Sequence, residues 1–328
     1  MNVPLRLLVL SAVASLGVVG YSSSSTTTAP TIPTGTIVEY TIATAGADPE
    51  ALAKGPDGNM WFTESGTGKI GMVAVSTGAV KEFTGVAAAN QPWGIVAGPD
   101  SRLWFAEDNG ATNVGQTTTA GVTTETNPGT NFKRHVVLGP DSRLWFTNTG
   151  NTQIDAVTAG AVLSPYGGLV AASQPSGITV GMDGNIWFTE LQGNNIGVMN
   201  TSGTLLHEYP ITTPASLPWV CSIGPDGNVW FAENAKNQIG KITTAGVVAE
   251  YPIPTAASQP FGVWAGPDGN VWFTEEAGNK IGRITPAGMV TEYPLPAAAS
   301  DPVEITLGPD GWLWFTEGAG NRIGKIHP

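Results

Sequence analysis

Three groups of residues in this chain have types and spacings that could do chemistry. The first ends seven recurring Trp-Phe runs: Glu64, Glu107, Asn148, Glu190, Glu233, Glu275 and Glu317. Six carboxylates gathered at one mouth would be hard oxygen donors for a divalent cation. The same regularity has a structural reading, in which each carboxylate bonds backbone at the turn that follows its own run. The second group varies from unit to unit: Glu50, Trp93, Arg134, Ser176, Trp219, Phe261 and Val303. A position that varies inside a uniform repeat is where a ligand site can be built. Trp93, Trp219 and Phe261 offer faces for stacking a sugar ring or an apolar macrocycle, or else they pack neighbouring units together. The third group is Phe132-Lys133-Arg134-His135, standing where the other units place proline before the variable residue. It could bind a carboxylate or stabilise an oxyanion, with His135 as the proton carrier. Alternatively, Arg134 simply neutralises the carboxylates around it.

The elements that position these groups follow from one stretch, Gly266-Pro-Asp-Gly-Asn-Val-Trp-Phe-Thr-Glu275, and its copies beginning at Gly55, Gly98, Gly139, Gly181, Gly224 and Gly308. In Gly-Pro-Asp-Gly, proline presets φ at the second turn position and glycine accepts the positive φ that follows. Val-Trp-Phe-Thr-Glu has the β-branched and aromatic content of a strand. A period of about 42 residues with several short strands per unit predicts an all-β fold, a seven-bladed β-propeller of four-stranded blades. A full unit reads Gln259–Ala265 (inner strand A), Val271–Glu275 (B), Lys280–Ile284 (C) and Val290–Leu295 (outer strand D). The repeat starts out of phase. Ile37–Ile42 matches strand D, whereas the last segment, Arg322–Ile326, matches strand C. The N-terminal strand therefore completes blade seven and removes an open edge. This order puts the variable slots and the ends of the B strands on one face, the top, and the Gly-Pro-Asp-Gly turns on the bottom. The seven strand-B tryptophans, Trp61 to Trp314, and Trp264 read as core; Trp312, in a bottom turn, reads as exposed.

Among 328 residues, 26 are acidic and 14 basic, a formal charge of −12. That balance argues against nucleic acid and anionic membranes as partners and leaves a small molecule, peptide or carbohydrate. Residues 1–20 read as a secretory signal, with Arg6 before an apolar run too short to be a membrane span. Residues 21–35 form a Ser/Thr/Pro-rich linker, and residues 36–328 form the propeller. The expected state is a monomer, secreted or periplasmic. The lone Cys221 cannot form an internal disulfide and reads as a buried, inert thiol. His207 falls on an outer strand and His327 at the terminus. No Ser-His-Asp, zinc or phosphate-loop spacing is present.

The motifs Trp-Phe-Thr-Glu, Asn-Lys-Ile-Gly-Arg-Ile and Thr-Glu-Tyr-Pro-Leu-Pro resemble those of the virginiamycin B lyases, also called streptogramin lyases, over residues 36–328. The resemblance implies a magnesium-dependent elimination that opens the ester ring of a cyclic depsipeptide. A base removes a proton next to a carbonyl, the metal polarises that carbonyl, and the ester oxygen leaves. By resemblance, Glu317 matches a catalytic Glu near the end of the last strand B, and Asp301 an acidic residue two positions before the final slot. The family places histidines in the slots of its last two blades and a tyrosine in the first. Here those slots hold Phe261, Val303 and Glu50, and neither Phe261 nor Val303 can shuttle a proton. Two functions follow: a lyase with a shifted site using His135, Asp301 and Glu317, or a non-catalytic secreted propeller that binds a sugar, peptide or wall ligand through the top face. A lactonase would need a metal-ligand set that the sequence does not supply.

Overall fold

The computed structural model describes residues 32–87, 90–109, 114–126 and 133–328. The expected signal (1–20), most of the expected linker and Phe132 lie outside the described residues. Seven antiparallel sheets of four strands follow one another along the chain. The innermost strands are Pro49–Lys54, Pro92–Ala97, Lys133–Leu138, Pro175–Val180, Pro218–Ile223, Pro260–Ala265 and Pro302–Leu307. The seventh sheet takes its outer strand, Ile37–Thr41, from the N-terminal side, with Ile37 opposite Ile326 and Thr41 opposite Arg322. Pairing begins slightly before the expected boundary, because the amide of Gly35 already donates to the carbonyl of His327 at 2.8 Å. Asn321 fastens the same segment: its side chain accepts from the Ala47 amide and donates to the carbonyls of Ile42 and Thr44. Among the described residues no helix is long and apolar enough to cross a membrane.

The repeat is legible as packing. In every blade the turn aspartate accepts the indole N–H of the tryptophan four residues on, as Asp57 does from Trp61 at 3.0 Å and Asp310 from Trp314 at 2.9 Å. The buried indole is thereby satisfied, as a buried donor must be. The outer strand then supplies a ring to stack on most of these tryptophans. Tyr293 lies 5.4 Å from Trp272, and Tyr40 lies 5.5 Å from Trp314, so the closing strand brings its own stacking partner. All seven strand-B tryptophans are buried, as expected.

Two other tryptophans differ from expectation. Trp264 is 40 % exposed, because its inner-strand position faces the central channel rather than the next blade. Trp312 is half-buried, its ring edge against His327 and the Lys325 ammonium 4.7 Å from its face.

Candidate functional site

Each blade carries a bulge where its inner strand begins. Pairing shifts between Pro49 and Leu52, for example, so Glu50 and Ala51 together oppose Thr63. A bulge of this kind re-aims side chains, and here it takes the variable residue out of the ladder at the top of the ring. The strand-B threonine mends the gap. Thr63 Oγ1 accepts from the Ala51 amide at 3.1 Å and donates to the Trp93 carbonyl of the next blade at 2.6 Å. Thr147, Thr189, Thr274 and Thr316 donate likewise to the carbonyls of Ser176, Trp219, Val303 and Glu50. Ala106 and Ala232 stand where these hydroxyls would be, leaving the slots of Arg134 and Phe261 without that tie.

Five of the variable residues converge. Phe261 and Val303 are buried together with Val220, and Trp93 and Trp219 pack against them. Trp219 stacks on Phe261 with centroids 4.9 Å apart. The Arg134 guanidinium lies over both indoles, 5.2 Å from the Trp93 ring and 4.9 Å from that of Trp219, and its Nε is 3.3 Å from Asp108. A cation held between two aromatic faces is stabilised by both. The Trp93 indole N–H is buried with no hydrogen-bond partner among the described residues. Beside this group a recess of about 380 Å³ is lined by Asp108, Arg134, Thr149, Gly150 and Gln174. Ser176 is fully buried and contributes its backbone instead of its hydroxyl to the site.

Next to the aromatic group, beyond Val303, lies an acidic rim. Glu50 is buried, with Oε1 3.1 Å from Ser65 Oγ, which also sits 3.2 Å from Asp48. Burial, and then the neighbouring Asp48 carboxylate, push the Glu50 carboxyl up to about 8. Burial and the facing Asp301 push Glu276 up to about 7, and Asp301 itself is raised by burial and by Asp48. Asp108 is also raised by burial, in spite of Arg134.

The three consecutive basic side chains of blade three diverge. Lys133 is buried and bonds Asp155 at 2.9 Å, and Asp155 also accepts from Asn148. Arg134 turns to the indoles. His135 enters the channel beneath the slots, where Nδ1 faces the Ser176 carbonyl at 3.0 Å and Nε2 faces Glu304 at 2.8 Å. The position after the slot is small in most blades: Ala51, Gly94, Gly177, Val220 and Gly262. A Cβ on Gly94 would meet the Arg134 carbonyl at 2.6 Å, so glycine there lets the next blade close in. His135 and Glu304 are the two large residues at this level, and they meet across the axis. Sequence reading found His135 but missed Glu304, whose signal was a carboxylate at an otherwise small, uncharged position.

The seven strand-B termini do not form a mouth. Glu317 is fully buried, and its Oε2 accepts from Arg322 at 2.8 Å on the outer side of the blade, where Glu39 also lies. Glu64 and Glu190 similarly accept from Thr67 and Asn195. These carboxylates bond side chains near the B–C turn and belong to the blade interior. The magnesium implied by resemblance can be tested against these residues. It demands hard oxygen donors in near-octahedral array. Among the described residues no group of three or more His, Cys, Asp or Glu side chains converges in that way. Glu317 is turned to Arg322, and the rim carboxyls of Asp48, Glu50, Glu276 and Asp301 are strung along the edge without converging on one point. The residues present do not fit a resident magnesium ion.

A sequence profile described as the Virginiamycin B lyase family matches residues 22–204 and 127–328. Virginiamycin B lyase from Staphylococcus aureus superposes with a TM-score of 0.84 at 30 % identity, covering 89 % of this chain and 99 % of that one. A streptogramin B lyase gives 0.83 at 33 % identity, over 89 % and 97 %. A catalytically inactive histidine-to-alanine variant of the Staphylococcus aureus enzyme with quinupristin gives 0.84 at 30 % identity, over 89 % and 99 %. A search among curated proteins returned no significant match. With both halves of the ring matching one profile, and the whole ring matching these lyases at about a third identity, the chain belongs to the virginiamycin B lyase family.

Proposed function

We propose that this protein is an exported ligand-binding propeller whose top face takes up a peptide bearing flat, apolar side chains, and that it does not perform the family's elimination. One observation carries this reading. Phe261 and Val303 occupy the slots where the resembling lyases place histidines, and both are buried in an apolar cluster flanked by Trp93 and Trp219. Such a surface offers stacking area and shape, with Arg134 between the indoles to donate hydrogen bonds to a carbonyl or carboxylate. It offers no group that could exchange a proton at those two slots.

The test is calorimetric titration with quinupristin, the ligand of the Staphylococcus aureus variant, alongside an assay of ring opening with magnesium present. Saturable binding without ring opening, weakened by Trp219→Ala, is the expected result. Ring opening by the unmutated chain would overturn the non-catalytic reading, and absence of binding would overturn the choice of ligand class.

A second reading, elimination with a relocated base, is favoured by Glu50. Its carboxyl titrates at about 8 on the rim, close to where a general base works best. Under that reading, ring opening increases with pH up to about 8 and disappears in Glu50→Gln.

A further inference from the structure

The central channel holds a cavity of about 460 Å³ on the bottom side of the ring, away from the slots. Its inner end is crossed by His135 and Glu304, from blades three and seven. Its walls are aliphatic, including Ala51, Ile95, Ile178 and Val220. Two residues at its outer end depart from the repeat. Trp264 stands where other inner strands carry Ala53, Val96, Thr179 or Ser222, and it is 40 % exposed. An exposed indole on the wall of a cavity is apolar area left uncovered, since a tryptophan with a choice is buried. Lys54, the last residue of the first inner strand, is exposed and makes no ion pair among the described residues. In a protein of net charge −12 it is an unneutralised cation at the mouth of an apolar chamber.

We infer that this chamber is a second binding site, for an apolar monoanion such as a medium-chain or aryl carboxylate. The apolar body lies against Trp264 and the aliphatic walls, and the carboxylate remains at the mouth with Lys54. The volume falls within the range of sites that enclose a small molecule. Burying a charge deeper would be costly, because a carboxylate would shed its hydration between mostly apolar walls and approach the Glu304 carboxyl at the inner end. The ligand's orientation follows: tail toward the His135–Glu304 contact, head outward. A neutral alcohol of the same length keeps the apolar contacts but loses the charge-assisted bond to Lys54.

The experiment is calorimetry of the full chain with decanoate, and with decanol as the uncharged control. Decanoate is expected to bind at one site per chain and more tightly than decanol. Lys54→Glu should weaken decanoate by about tenfold or more and leave decanol nearly unchanged, as expected for a lost charged hydrogen bond. Trp264→Ala should weaken both ligands, and Ile178→Trp, which fills the chamber, should abolish binding. Because Ile178→Trp is a core change that can fail to fold, the two exposed positions carry the decision. Trp93→Ala, on the opposite face, should leave decanoate binding intact, which separates this site from the one proposed for peptide. Absence of saturable decanoate binding, or binding indifferent to both Lys54→Glu and Trp264→Ala, would overturn the inference.

Discussion

His135 Nε2 lies 2.8 Å from Glu304 Oε1, and the two residues come from blades three and seven, across the channel from one another. The other ring nitrogen faces the Ser176 carbonyl, which can only accept. A hydrogen on Nδ1 is therefore what this carbonyl can take from the ring, and Nε2 is left to the Glu304 carboxyl.

Glu304→Gln should be well tolerated, because the amide can donate to Nε2 while Nδ1–H still bonds Ser176. Glu304→Ala strands a buried nitrogen and should cost about 1–3 kcal/mol. Denaturant melts of both variants check this. Equal losses in the two would show that the contact contributes packing and not a hydrogen bond.

Trp187→Ala should cost about 3–5 kcal/mol, as a fully buried ring does. Trp93 and Trp219 are only partly buried, so their alanine variants should lose clearly less stability while losing affinity for an aromatic-bearing peptide. Melting curves with peptide titrations separate the two effects. Three equal stability losses would make the slot tryptophans ordinary core.

Burial and facing carboxylates push Glu233 and Glu275 up to about 8, and burial pushes Glu64 and Glu190 up to about 7. The unfolded chain releases these protons near the ordinary value of 4.5, whereas the folded chain holds them to higher pH. Folding takes up protons throughout that window, so stability should fall as pH rises from about 5 to about 8. Asp183 and Asp226 are lowered by bonds to Asn185 and Trp230 among others, and they act below this window. Glu233→Gln should flatten the slope. A stability that rises across the same window would show that these carboxyls are ionised in the fold.

Magnesium should leave the melting temperature of the unmutated chain unchanged, since a specific binder of the folded state would raise it. The variant carrying Phe261→His and Val303→His tests the missing chemistry. If the rest of the site serves elimination, ring opening should increase by about 10²–10⁴-fold, the usual worth of positioned acid–base groups.

Deleting residues 36–44 should abolish cooperative folding, because it leaves Arg322–Ile326 without its neighbour and Trp314 without Tyr40. Gel filtration and thermal scans of the truncated chain provide the check. An unaltered, monomeric propeller would contradict the closure.

The blades and their phase were legible because each step is local. The turn aspartate and its tryptophan are four residues apart, and the mismatch of Ile37–Thr41 with strand A left blade seven as its place. The slots were legible because they vary. Side-chain direction was not. Glu317 ends its strand at the top, yet its carboxylate turns outward to Arg322, which depends on how the next strand packs. Lys133, Asn148 and Asp155 replace proline, glutamate and glycine in blade three, and only the fold shows that the three changes compensate one another. Glu304 escaped notice because its partner lies 169 residues away.

Seven is odd, and that has a cost in the ring. At the level just below the slots, glycine in blades two, four and six alternates with a side chain in the others. An even ring could alternate without a fault, but an odd one must somewhere set two side-chain-bearing blades next to each other. The fault falls at the junction of blades seven and one, where Glu304 adjoins Ala51. Glu50, Asp48 and Asp301 gather at that same junction. Part of the acidic rim thus lies at the joint where the alternation breaks, so the uneven electrostatics of the top face coincide with a counting mismatch built into the ring.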